Sequence, residues 1–257
     1  MHNAAFKALG LNWHYDAMAI PPDIVQLGIK EPMRHDYIGI NVTVPHKQAI
    51  MKYVRPDEVA RAVGAVNTVD FRDMTGTNTD VAGLIDDLKA HDIALGGQNV
   101  LVLGAGGAAR AAVYGLWRES ANVTVVNRTM TKAQVMLADL AISAGIKSVE
   151  VKTLDEAVEQ HIDLIVNCTS AGLWPHVDVS PWIDGVPFPA GVTVYDTVYR
   201  PEKTKLIQQA ELASGRGING LGMLVRQGAA SFKIWTDRDP PIDVMFAAAR
   251  EALQGKV

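Results

Sequence analysis

The sequence has almost no capacity for sulfur cross-links. Of its 257 residues only Cys168 is a cysteine. One thiol cannot close an intrachain disulfide, and the seven histidines stand at no metal-ligand spacing, so no metal is expected. An excess of either charge is also lacking. Lys and Arg number 24, Asp and Glu 28, for a net charge of −4. This balance excludes a chain-wide electrostatic footprint for nucleic acid or an anionic membrane surface. Trp117, Trp174, Trp182 and Trp235 show no interleaving with cations that would suit base stacking. No run of 18 apolar residues occurs, which rules out a spanning helix. Residues Met1 to Asp16 contain no basic segment followed by an apolar stretch, so no secretory signal is read there. Solenoid-period repeats are absent. The chain is expected to be globular, to sit in a reducing compartment and to be cytoplasmic.

What is present is alternation. Hydrophobic residues make up 48% and charged residues 20%, an ordinary globular mixture. The N-terminal third reads as helix 2–9, strand 13–20, helix 22–30, strand 37–44, helix 47–54 and strand 65–71. A helix at 81–91 and a loop at Gly96-Gly97 follow. A second series then reads strand 100–103, helix 106–117, strand 123–127, helix 131–144, strand 149–151, strand 164–168, strand 192–196 and helix 204–213. Strands alternating with helices imply crossover units and a largely parallel sheet. The runs VLVL, VTVV and LIV are apolar on both faces, as central parallel strands require. Helices 223–235 and 242–253 close the chain, parted by Asp239-Pro240-Pro241, and could pack back on the first domain. The fold class is α/β, and the length allows one large domain or two smaller ones.

Gly104, Gly106 and Ala109 fit G-x-G-x-x-A at a strand-to-helix junction. The first glycine permits a tight turn and the second a close approach of backbone to pyrophosphate, which the free N–H groups of the helix then face. The next strand ends in Asn127-Arg128-Thr129 with Lys132 beyond, 24 residues past Gly104 (128 − 104). A carboxylate there would accept a ribose 2′-hydroxyl. A neutral residue followed by cations instead suits a 2′-phosphate, so NADP is favoured over NAD.

Asn41-Val42-Thr43-Val44-Pro45-His46-Lys47 runs from strand to helix, Gly64-Ala65-Val66-Asn67-Thr68 from turn to strand, and Gly76-Thr77-Asn78-Thr79-Asp80 into a helix. Read singly, Lys47 is a solvated helix lysine and Asp80 a helix N-cap. Read together, Lys47, Asn67 and Asp80 form a polar constellation beside a nucleotide unit. Hydride arrival at a ketone leaves an alkoxide, and a lysine beside it can stabilise and protonate that oxygen. An Asp at its side favours the charged lysine. Cys168, in the apolar run LIVNCT, reads as a core thiol.

NVTVPHK, GAVNT, NTD, GAGGAAR, NRT, NCTSAG, YDTVYRP and GLGMLVRQGAASF together resemble shikimate dehydrogenases, in the same order and over nearly the whole chain. The resemblance implies a Rossmann NADP-binding domain at 81–220. It also implies an α/β substrate domain at 1–80, completed by C-terminal helices at 221–257. It implies reversible reduction of 3-dehydroshikimate to shikimate with NADPH, on the route to aromatic amino acids. Lys47 and Asp80 would be the catalytic dyad. Thr43, Asn67, Tyr199 and Gln227 would contact substrate. Gly104, Gly106, Gly107 and Ala108 would form the phosphate loop. Asn127, Arg128, Thr129 and Lys132 would hold the 2′-phosphate. Thr169, Val198, Gly220 and Met223 would line the nicotinamide.

The resemblance also implies a first strand and a Ser-x-Ser loop ahead of Met1. The expectation is a natural start further upstream; the alternative is a shortened form with weak substrate binding. Three rival functions stay open: a quinate or other ring-acid dehydrogenase, a non-catalytic ligand sensor, and a folate-type dehydrogenase. A homodimer also stays open.

Overall fold

Two sheets organise the chain in the computed structural model, which describes residues 1–255. After α1 (His2–Ala8) comes irregular extended chain, then α2 (Val25–Arg34), β1 (Gly39–Asn41), β2 (Arg55–Pro56) and α3 (Glu58–Val63). β3 (Thr68–Asp70) and β4 (Thr75–Thr77) complete a four-stranded sheet of order β1-β3-β4-β2. This sheet is mixed. β1–β3 and β3–β4 are antiparallel and only β2–β4 is parallel, which corrects the largely parallel reading for this third of the chain.

Other N-terminal expectations also change. Residues 13–20 form no strand; among the hydrogen bonds there, the side chain of Asn3 holds Tyr15 through its backbone N–H and C=O. The helix read at 47–54 is a short 3-10 turn, Ala49–Tyr53. α3, absent from the sequence reading, is stopped at both ends by local chemistry. Asp57 accepts from the Ala60 N–H at 2.7 Å, and Gly64 takes the left-handed conformation after the last turn.

α4 (Asp80–Ala90) leads into the second sheet, which contains β5 (Asn99–Leu103), β6 (Asn122–Val126) and β7 (Glu150–Val151). β8 (Leu164–Asn167), β9 (Thr193–Asp196) and β10 (Arg216–Asn219) complete it. The order is β10-β9-β8-β5-β6-β7 and every pairing is parallel. The chain starts at the centre with β5 and reverses direction there. The C-terminal ends of β5 and β8 therefore part at a topological switch point. The crossovers include α5 (Gly107–Arg118), α6 (Met130–Ala144), α7 (Leu154–Val158) and α8 (Lys205–Leu212). β10 and α7 were not read from sequence.

Alternate residues of each central strand enter different cores. Val100 and Val102 pack with Leu84, Leu88, Ala112 and Leu116 of the helices on one face. Leu101 and Leu103 pack with Trp182, Leu206 and Ala210 on the other. Burial on both faces is the physical reason for the apolar runs.

α9 (Leu221–Thr236) and α10 (Ile242–Gln254) return to the first unit, where Phe232 and Met245 bury Ala5 and Phe6 of α1. α9 lies along α4, and the contact is close enough to exclude a side chain. A Cβ at Gly222 would stand 1.9 Å from an Asp87 carboxylate oxygen. That carboxylate is buried and accepts from the Tyr195 hydroxyl of β9 at 2.7 Å and from Arg226 Nε of α9 at 3.1 Å. Asp87 thus ties α4, α9 and the parallel sheet at one point.

Candidate active site

Lys47 follows the turn that ends the β1 segment, and Asp80 is the first residue of α4. Thr79 is the residue preceding the helix, so the Asp80 side chain is not spent as a cap. It meets Lys47 instead, with Nζ 2.6 Å from Oδ2. The two side chains are 15% and 6% exposed, so the pair is largely withdrawn from water. Removing one partner would leave a buried charge uncompensated.

Asn67 holds the other carboxylate oxygen of Asp80, its Nδ2 donating at 2.8 Å. The same amide donates to Thr79 Oγ1 at 2.9 Å, and its Oδ1 accepts from the Thr79 N–H at 2.8 Å. Both amide hydrogens are therefore engaged, and Asn67 acts as a brace for Asp80. Sequence reasoning missed the layer behind it. Asn41 Nδ2 donates to Ser231 Oγ at 2.9 Å and to Thr68 Oγ1 at 3.1 Å, and Tyr15 Oη donates to Asn41 Oδ1 at 3.0 Å. Asn41 opens the NVTVPHK block, but Ser231 lies 190 residues away, and nothing local in the chain signals their meeting.

Tyr15, Asn41, Lys47, Asn67 and Asp80 line a cleft of about 410 Å³ between the two sheets. Of the residues expected from sequence, Thr43, Lys47, Asn67 and Asp80 are in its lining. Ala108, Tyr199, Gly220, Met223 and Gln227 line it as well. Gln227 Oε1 stands 3.4 Å from Asn67 Nδ2, and its own Nε2 donates to Leu224 O at 2.8 Å.

The remaining expected residues lie outside that lining. Gly104 has φ +118°, a conformation side chains rarely adopt, and a Cβ there would press on the Cys168 carbonyl and Thr169. Gly106 precedes α5 with no side-chain cap, and a Cβ there would meet nothing within 4 Å. A Cβ at Gly107 would stand 3.4 Å from Lys47 Cδ. The uncapped N-terminus of α5 thus opens beside Lys47. Asn127 Nδ2 donates to Thr129 O at 2.8 Å and shapes the turn after β6. Arg128 and Thr129 are exposed on that turn, and Lys132 is exposed in the first turn of α6. Among the described residues neither cation forms a salt bridge. Thr169 and Val198 lie in the turns that follow β8 and β9. Burial, then the charges of Asp196 and Asp80, push the Cys168 thiol up, so it stays neutral.

The residues present fit a phosphorylated dinucleotide. The turn at the switch point has a bare backbone, open space over Gly106 and unpaired helix N–H groups, and the adjacent turn with the start of α6 carries two free cations. A nucleotide-binding parallel sheet facing a lysine–carboxylate pair on a separate unit is the arrangement of a two-domain, dinucleotide-dependent oxidoreductase.

Comparison with known proteins narrows that class. Residues 1–69 match the shikimate dehydrogenase substrate-binding domain and residues 87–174 the shikimate/quinate 5-dehydrogenase model. Residues 220–250 match the shikimate 5-dehydrogenase C-terminal domain. The NADP(+) shikimate dehydrogenase of Methanocella arvoryzae is 41% identical over 254 residues, covering 98% of this chain and 93% of the relative. A shikimate dehydrogenase crystallised with NADP+ superposes with a TM-score of 0.91 at 37% identity, over 98% of this chain and 89% of that one. The Thermus thermophilus enzyme, solved with NADP(H) and shikimate, gives 0.87 at 35% identity, over 98% and 93%. The chain belongs to the shikimate dehydrogenase family. No described helix is long and apolar enough to cross a membrane.

Proposed function

We propose that this chain catalyses the reversible, NADP-dependent reduction of 3-dehydroshikimate to shikimate. The observation that carries the reading is the Lys47–Asp80 pair at 2.6 Å, set in a cleft that opens onto the uncapped end of α5. NADPH, when bound, supplies the hydride. The phosphate loop at 104–108 would hold its pyrophosphate, Arg128 and Lys132 with Asn127 and Thr129 its 2′-phosphate, and Thr169, Val198, Gly220 and Met223 its nicotinamide. The substrate unit is residues 1–80 with 221–257, and the nucleotide unit is 81–220.

Each side chain then has a task. Lys47 Nζ faces the carbonyl oxygen of the ring acid, offsets the charge that develops there and donates a proton. Asp80 fixes the direction of Nζ through Oδ2, while Asn67 fixes Asp80 through Oδ1. Because the Asn67 amide is already engaged, it meets a ring hydroxyl by exchanging one of its bonds. Thr43, Tyr199 and Gln227 supply the remaining polar contacts from the cleft lining. The cytoplasm is the proposed location, on the strength of the single, neutral thiol, and the small net charge supports no nucleic-acid partner.

The test is a steady-state assay of the purified chain with shikimate and with quinate, each against NADP+ and NAD+. Shikimate with NADP+ is expected to give the highest kcat/KM. Equal values with quinate, or with NAD+, would refute the assignment.

A further inference from the structure

β8 and β9 end side by side, with Asn167 opposite Asp196 in the parallel register. Both side chains are fully buried. Asn167 Nδ2 donates to Asp196 Oδ1 at 2.8 Å, and each residue then turns the chain that follows it. Asn167 Oδ1 accepts from the Thr169 N–H at 2.9 Å and from Thr169 Oγ1 at 2.8 Å. Asp196 Oδ1 accepts from the Val198 N–H at 3.0 Å. The result is two adjacent Asx turns joined by one amide–carboxylate bond. Asp196 Oδ2 accepts from Thr204 Oγ1 at 2.6 Å, which anchors the pair to the start of α8.

One turn reaches the glycine loop after β5 and the other the start of α9. Thr169 lies against the phosphate loop, 3.3 Å from where a Gly104 Cβ would be. The Val198 carbonyl accepts from the Gly220 N–H at 3.2 Å, just before α9, which carries Met223 and Gln227. Apolar side chains could close the end of the sheet without burying a carboxylate, so stability alone does not account for the pair. What it provides is a fixed separation and direction for two turns that have no regular structure of their own.

We infer that Asn167 and Asp196 are positioning residues for hydride transfer, setting the two turns against which the nicotinamide rests. The inference rests on the reading that Thr169 and Val198 face the nicotinamide. Loosening the pair would lower kcat by degrading the approach geometry, and would leave the Lys47–Asp80–Asn67 side of the ring-acid site unaltered.

The testing variant is Asn167→Asp, which sets two carboxyl groups against each other. Below the shared titration they hold one proton and keep the bond; above it they repel. Cys168 is the other titratable group there and stays neutral. The expected result is a kcat that falls about tenfold or more from pH 6 to pH 9 relative to the parent profile, the effect of about 1.4 kcal/mol of lost positioning. The isotope effect from NADPH deuterated at C4 rises in parallel, and kcat falls by a larger factor than KM for the ring acid rises. A folded variant with the parent profile and parent isotope effect overturns the proposal.

Should Asn167→Asp not fold, Thr204→Val removes an Asp196 partner from outside both turns. It is expected to raise the isotope effect with a two- to fivefold loss of kcat, and an unchanged isotope effect overturns the proposal. Val198→Phe separates the two levels of the argument. If it leaves kcat and KM for NADPH unchanged, the nicotinamide location is wrong and the proposal falls with it. If it impairs both while the other two variants behave as the parent, only the positioning role fails.

Discussion

The two halves of the cleft are built from different materials. The nucleotide side is mainly backbone: a bare glycine turn, an uncapped helix and two Asx turns at the end of a parallel sheet. The ring-acid side is a network of side chains, in which Lys47, Asp80, Asn67, Thr79, Asn41 and Ser231 brace one another across strands of two or three residues. A backbone site tolerates change in its surroundings as long as the turn survives. A side-chain network loses function with one atom. On the proposed assignment, the chemistry falls on the fragile side and the cofactor grip on the robust side.

The largest effect should come from the network. Lys47→Ala is expected to lower kcat by roughly 10²- to 10⁴-fold while leaving NADPH affinity nearly intact. Fluorescence titration of NADPH alongside turnover would show it, and an unchanged kcat would remove the lysine from the chemistry.

The second contrast concerns acid. Burial of His2, in the substrate unit, pushes its imidazole down to about 4 from 6.5. A depressed histidine favours the neutral folded form, so this contribution is present above pH 6.5 and is lost as pH falls toward 4. Asp196, in the nucleotide unit, is pushed up to about 6 from 3.8 by burial, against its three hydrogen bonds. Its folded form holds the proton more tightly, so this contribution grows as pH falls from 6 toward 3.8. Each amounts to about 3 kcal/mol across its window, with opposite sign. Urea unfolding at pH 7 and pH 4.5 should therefore tilt in opposite directions for His2→Phe and Asp196→Asn. The phenylalanine variant gains relative stability in acid and the asparagine variant loses it. Parallel shifts would contradict the assignment.

Arg128→Asp probes the robust side. It should weaken NADPH binding by about 10- to 100-fold, the loss of charge-assisted bonds to a phosphate, and weaken NADH far less. Equal effects on the two cofactors would mean that the exposed turn does not read the 2′-phosphate. The smallest effect is expected at the seam. Tyr195→Phe leaves Asp87 with one donor fewer and should cost about 1–3 kcal/mol of stability, seen in thermal unfolding, with kcat little changed.

The same division governs how much could be read from the sequence. Gly104, Gly106 and the runs VLVL, VTVV and LIV are local signals, because turn geometry and burial on both faces are written in adjacent residues. The parallel sheet was legible almost strand by strand. The mixed sheet was not. Its strands are too short for a period, and residues 13–20 have strand-like composition without pairing. Lys47 and Asp80 stood out as polar residues at element boundaries, and their pairing was expected from the shared constellation and the family resemblance rather than from spacing, since 33 residues separate them. Asn41 with Ser231, and Asn167 with Asp196, lay beyond reach for the same reason: such pairs form only once the sheets and helices are assembled.

The close seam between α4 and α9 has a mechanical consequence. These two helices are the crossings between the units, and they touch where Gly222 leaves no room for a side chain. Asp80 stands on one and Gln227 on the other. Like two rods welded along one seam, they hold Asp80 and Gln227 at a separation that the backbone contact sets.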